Sequence, residues 1–91
     1  MAKLFDSPDM RETIRRFIRS QMAAKALEYK HLSVRLGALG VVQTESNLRS
    51  KVNSGALGAQ LFIYILLAMG LDSLDMATVE LILSDVQKVS E

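Results

Sequence analysis

Gln43, Ser46, Asn47, Arg49 and Ser50 fall within eight residues of one another, in the stretch QTESNLRS. The amides of Gln and Asn present a donor beside an acceptor, which matches the adenine edge in the major groove of a duplex. The Arg guanidinium pairs in the same two-pronged way with guanine O6 and N7, and Ser hydroxyls serve bases or phosphates alike. These five residues are therefore the candidates for reading bases. A solvent-facing helix with no ligand is the alternative reading of the same composition.

A second set is cationic. Arg15, Arg19, Lys30, Arg35 and Lys51, with the Thr44 hydroxyl, are the candidates for phosphate contact. Arg11, Arg15 and Arg19 recur every fourth residue with Arg16 beside them, which puts a row of guanidinium groups on one helix face. Such a row holds phosphates, or it is simply a solvated face. Tyr29 packs its ring and leaves a hydroxyl for a phosphate, or packs only. Between Met10 and Gly55 nine basic residues stand against three acidic ones, whereas from Ala56 to Glu91 one basic residue stands against five acidic ones. The net charge of +1 conceals that division. A basic body with an acidic end fits one phosphate-facing side, with chance clustering as the alternative.

Other chemistries find little material. With no Cys and one His, thiol catalysis, disulfides and Cys-based zinc sites are excluded. His31 has no second His to share a metal and reads as a surface or boundary residue. There is no Ser-His-Asp set, no metal-ligand cluster and no Gly-rich phosphate loop of known spacing, so no enzyme, no cofactor and no metal is expected. The longest apolar run, Leu61 to Met69, is far short of the roughly 20 residues that span a bilayer. The charged N-terminus carries no secretory signal, and a soluble cytoplasmic protein is expected.

The elements that must position these groups are helices. Phe5-Asp6-Ser7-Pro8 opens the first, with Asp6 as cap and Phe5 stapled to Met10, or in the competing register with Ser7 as cap and Pro8 in the first turn. Met10, Ile14, Phe17, Ile18 and Met22 then supply its core face. A second helix runs from about Ala26 or Glu28 to Leu39, with Leu32, Leu36 and Leu39 inward and Gly40 ending it. One or both of Val41 and Val42 lie under the turn. Thr44 caps a third helix, about Glu45 to Ser54, in which Leu48 and Val52 alone point inward; Ser46, Ser50 and Asn53 point outward, with Asn47 and Arg49 on the flanks.

Gly55 stops that helix. Ala59 to Met69 is apolar nearly all round and reads as the buried centre of the domain. Asp72 or Ser73 caps a last helix from Leu74 to about Val89, with Asp75 in its first turn. Met76, Val79, Ile82, Leu83 and Val86 form its docking stripe, while Leu74, Ala77 and Leu81 lie on the other side. A second stripe invites a second surface, and homodimerisation through these three residues is the economical expectation. Scattered exposed leucines are the alternative. The predicted fold is all-α, a compact five-helix domain over residues 1–91, with 1–9 as a flexible lead-in and 72–91 as the C-terminal helical segment.

From Met10 to about Leu71 this order of elements resembles the phage-repressor-like (Cro/repressor type) helix-turn-helix family, five-helix domains whose second and third helices form the motif. The resemblance rests on Leu32, Leu36, Gly40-Val41, Leu48, Gly55, and Leu66-Leu67-Ala68-Met69-Gly70-Leu71, which is similar to the family's closing Leu-Ala-x-x-Leu-Gly-Val. More narrowly, Tyr29-x-x-Leu32, Gly40, Thr44-Glu45-x-Asn47-Leu48, Lys51, Gly55 and Phe62 look like a small uncharacterised bacterial domain family of this type. The chain departs from the pattern in an extra Ala38-Leu39-Gly40 segment before the turn, and Leu48 stands one residue further from Gly55 than is usual. The resemblance implies DNA binding and no established activity.

The expectation is thus a small transcriptional regulator that binds double-stranded DNA as a homodimer, with the helix at about 44–54 in the major groove and half-sites roughly 34–36 Å apart. The alternative is a protein-interaction module, partner of a larger regulator or polymerase subunit. No membrane role is expected, because the apolar residues of the first helix are needed for the core.

Overall fold

Among the described residues the chain forms five helices: α1 (Pro8–Ala24), α2 (Tyr29–Ala38), α3 (Glu45–Ser54), α4 (Ala59–Ala68) and α5 (Met76–Ser90). The computed structural model describes residues 5–90, with no strand among them. The all-α, five-helix architecture expected from the periodicity is what forms. Among these residues no single helix is long and apolar enough to cross a membrane. α1 is the hub, packing on α3 and α5, while α2 packs on α3 and α4. Phe17, Ile18 and Met22 of α1 meet Leu32 and Leu36 of α2, Leu48 and Val52 of α3, and Ile65, Leu66 and Met69 in one buried cluster.

The start of α1 follows the Ser7 register, and Asp6 is not the cap. Ser7 is extended, and its Oγ accepts the Met10 N–H at 3.1 Å. Pro8 lacks an N–H and has a preset φ, so it belongs at the first helical position and leaves the residue before it to cap. Asp6 instead accepts from Arg11 Nε at 3.0 Å. Phe5 is 94% exposed, so no staple forms on Met10. The lead-in expected over residues 1–9 falls partly outside the described residues, and Pro8 and Asp9 already belong to α1.

Ala26 closes α1 with φ +54°. The chain then turns so that Leu27 N–H reaches Met22 O at 2.8 Å. This left-handed residue delays α2 to Tyr29, later than an Ala26 start. His31 is exposed and serves locally, its Nδ1 accepting the Glu28 N–H at 2.9 Å. Leu39 falls outside α2 and is 46% exposed, and Val42 is 88% exposed, so of the turn residues only Val41 packs on the core.

Two further expectations change. The centre of α4 is not buried all round: Ile65, Leu66 and Ala68 are buried, but Ile63 is 51%, Tyr64 40% and Leu67 55% exposed. The cause is topological, since α2 backs α4 on one side and α5 docks on α1 instead of closing the other. At the C-terminal end neither Asp72 nor Ser73 provides the cap. Asp75 accepts the Thr78 N–H at 3.3 Å and the Thr78 hydroxyl at 2.8 Å. The hydrogen bond from the Thr78 side chain holds the Asp75 carboxyl below its usual range. Because α5 begins only at Met76, Leu74 precedes the helix and packs against the core, which removes it from the outer stripe of Leu74, Ala77 and Leu81. Ala77 and Leu81 are exposed, and so is Met76, which was expected to dock. Met76 is the first residue of the helix and has no preceding turn to pack against.

Candidate nucleic-acid interface

α3 is fixed at both ends and along one line. Thr44 is extended, and its Oγ1 accepts the Asn47 N–H at 3.0 Å, satisfying one of the first-turn donors. Leu48 and Val52, one turn apart, are fully buried against the neighbouring helices. At the other end Gly55 adopts φ +69°, and a Cβ there would run into the Arg11 carbonyl oxygen. Glycine is required twice over, for its backbone conformation and for the closeness of α3's end to the first turn of α1.

The polar side of α3 then has nowhere to go but solvent. Ser46, Asn47, Arg49, Ser50 and Asn53 are all exposed, as the helical spacing predicts. The side chains of Ser46, Asn47 and Ser50 make no hydrogen bond among the described residues. Arg49 is held from two directions: Nη2 donates to Glu45 Oε1 at 3.3 Å, and the guanidinium lies 5.3 Å from the centre of the Tyr29 ring. An open hollow of about 330 Å³ collects Arg19, Glu28, Tyr29, Glu45 and Arg49 where α1 ends, α2 starts and α3 passes. Arg19 is exposed and makes no ion pair among the described residues.

Gln43 stands apart from the other four base-reading candidates. It is half-buried, its carbonyl accepts from Ser33 Oγ at 2.6 Å, and its side-chain oxygen accepts from Lys51 Nζ at 3.2 Å. Lys51 is correspondingly half-buried and turned to Gln43, not outward. Arg35 is also committed elsewhere, donating through Nη1 to the Ala68 carbonyl at 3.2 Å, where it satisfies the C-terminal end of α4. Lys30 is exposed and lies 3.3 Å from Glu28.

The arginine row on α1 is partly neutralised. Arg15 Nε donates to Glu12 Oε2 at 2.8 Å and Arg16 Nε to Oε1 at 2.9 Å. Hydrogen bonds from Arg15 and then Arg16 hold the Glu12 carboxyl at about 2, and the same bond raises the Arg15 guanidinium. Of the six phosphate candidates only Arg19 and Thr44 are exposed with no side-chain donor engaged by another described residue.

Sequence spacing missed two features of this surface. The Glu45–Arg49 pair stands at the i, i+4 spacing that a helix brings together, but the approach of Tyr29 to Arg49 spans twenty residues and has no local signature. The capture of Arg35 by Ala68 is likewise tertiary. Among the described residues no group of three or more His, Asp or Glu side chains is placed to hold a metal ion.

A family described as "Domain of unknown function (DUF6471)" matches residues 10–74. The chain belongs to that family. No curated protein and no solved structure matches it. The DUF6471 region takes in α1 from Met10, all of α2, α3 and α4, and the connection as far as Leu74. The polar face of α3, the Tyr29–Arg49 contact and Gly55 therefore lie within the DUF6471 region, and α5 lies outside it.

Proposed function

We propose that this chain is a small DNA-binding regulator in which α2 and α3 act as a helix-turn-helix and α3 enters the major groove. One observation carries the reading: α3 is anchored by only two side chains and turns Ser46, Asn47, Arg49 and Ser50 to solvent, three of them with no internal hydrogen bond. A helix built only for stability would bury more of itself. Asn47 and Arg49 carry the side chains suited to adenine and guanine edges, with Ser46 and Ser50 beside them. Arg19, Lys30 and the Thr44 hydroxyl provide the phosphate contacts, with Arg15 adding to them from α1. The regulator works in the cytoplasm as a homodimer on paired half-sites.

The test is fluorescence anisotropy of the purified chain with a random duplex and with its own upstream region, over a salt series. Affinity that falls steeply with salt and differs between the duplexes supports the reading. Absence of binding at low salt overturns it and moves the function to protein interaction.

A further inference from the structure

Building on the DNA-binding reading, we infer that Glu45 and Arg49 act as one unit that reads the whole major-groove edge of a G·C base pair, Arg49 taking the guanine and Glu45 the amino group of its cytosine. Arg49 Nη2 donates to Glu45 Oε1 at 3.3 Å, which sets a carboxylate beside a guanidinium. An arginine carries five N–H donors, and among the described residues only one acceptor atom engages those of Arg49. Glu45 Oε2 makes no hydrogen bond among the described residues. Read along its length, the unit therefore offers donor, donor, acceptor.

A G·C pair presents the complement across the major groove: guanine N7 and O6 as acceptors, then cytosine N4 as donor. The spacing agrees as well. Guanine O6 and cytosine N4 are hydrogen-bonded to each other about 2.9 Å apart, close to the 3.3 Å between Nη2 and Oε1. An A·T pair presents acceptor, donor, acceptor, and a C·G pair presents the matching groups in reverse order. Neither fits a reader whose direction along the groove is set by phosphate contacts.

Position favours this use over a plain surface ion pair. Glu45 opens α3, but the Thr44 hydroxyl already caps the helix. Side chains lean toward the N-terminus of their helix, which carries Arg49 back to the end whose residues meet base edges. Glu45 and Arg49 are 49% and 53% exposed, so both reach solvent from there. A carboxylate on a face turned to phosphates weakens binding unless it meets a donor, and in the major groove only cytosine N4 and adenine N6 donate.

Selection of duplexes from a random pool supplies the site, and anisotropy then compares it with copies carrying N4-methylcytosine at one position at a time. In a Watson–Crick pair that methyl group replaces the major-groove N–H and leaves the guanine untouched. The decisive cytosine is the one paired with the guanine at which Arg49→Ala loses discrimination. There the parent is expected to lose affinity roughly tenfold on methylation. Glu45→Ala, with helical content and melting temperature like the parent's, is expected to be indifferent to it. A parent indifferent to methylation at that cytosine, or a Glu45→Ala variant as sensitive as the parent, overturns the inference while DNA binding stands. So does a selected site at which Arg49→Ala loses discrimination at no guanine. A pool in which no sequence is enriched removes the DNA reading itself, and the inference with it.

Discussion

The guanidinium of Arg49 lies 5.3 Å from the centre of the Tyr29 ring and is tied to Glu45 on its own helix. An arginine held by a ring and a carboxylate has fewer conformations to lose when it meets a base edge. Arg49→Ala should therefore remove about 1–3 kcal/mol of discrimination against the wrong base, since the whole bidentate pair goes. Tyr29→Leu should cost less, about 0.5–1 kcal/mol, the usual size of an exposed cation–π contact. Anisotropy competition between a selected site and a single-base variant measures both, and equal discrimination by parent and Arg49→Ala would remove Arg49 from the reading face.

Gly55→Ala should be the most damaging single-atom-group change in the α3 region. It adds a methyl against the Arg11 carbonyl and forces a left-handed alanine, costs of about 1–3 and 1–2 kcal/mol that act together. Urea unfolding would register a loss of about 2–5 kcal/mol. Gly40→Ala provides the control: it has φ +85° but open space around it, so only the backbone part should appear.

Ala26 holds the opposite lesson, a left-handed residue that is not glycine. Ala26→Gly should stabilise the chain by about 0.5–1 kcal/mol, because the strain relieved exceeds the entropy added to the unfolded chain. A rise in thermal midpoint checks this.

Glu12 makes stability depend on acid. Its carboxyl is held at about 2 in the folded chain against an ordinary 4.5, so the unfolded chain takes up the proton first as pH falls. The stabilisation is complete above 4.5 and is lost as pH drops toward 2. Because the side chain is close to one-third exposed, screening reduces the full shift to about 1 kcal/mol. Unfolding at pH 7 and pH 2.5 should show parent stability falling by about that much more than in Glu12→Gln.

Arg35 and Arg19 look alike in the sequence and should separate in experiment. Arg35→Ala leaves the Ala68 carbonyl without its charged donor and should cost about 1–2 kcal/mol of stability while barely altering the salt dependence of DNA binding. Arg19→Ala should leave stability within about 0.5 kcal/mol and lower the salt slope by about one.

The legibility of these residues differed for physical reasons. The bounds of α3, its Thr44 cap, the inward Leu48 and Val52 and the outward polar set were all readable, because capping and helical spacing are local. α4 was read as a helix but its exposed side was not, since a helix apolar all round carries no periodicity to say which face is covered. The cap of α5 was ambiguous because Asp72, Ser73 and Asp75 compete, and Thr78 decides among them. The partners of Arg35 and Gln43 were not readable, because one is a carbonyl thirty-three residues away and the other a lysine on the next helix.

α3 and α5 both rest on α1 and not on each other. Loss of α5 would therefore strip one flank of α1 while leaving every direct neighbour of α3 in place. A change confined to α5 is therefore expected to reach α3 only through α1, and the polar face of α3 draws both of its supports from helices inside the DUF6471 region.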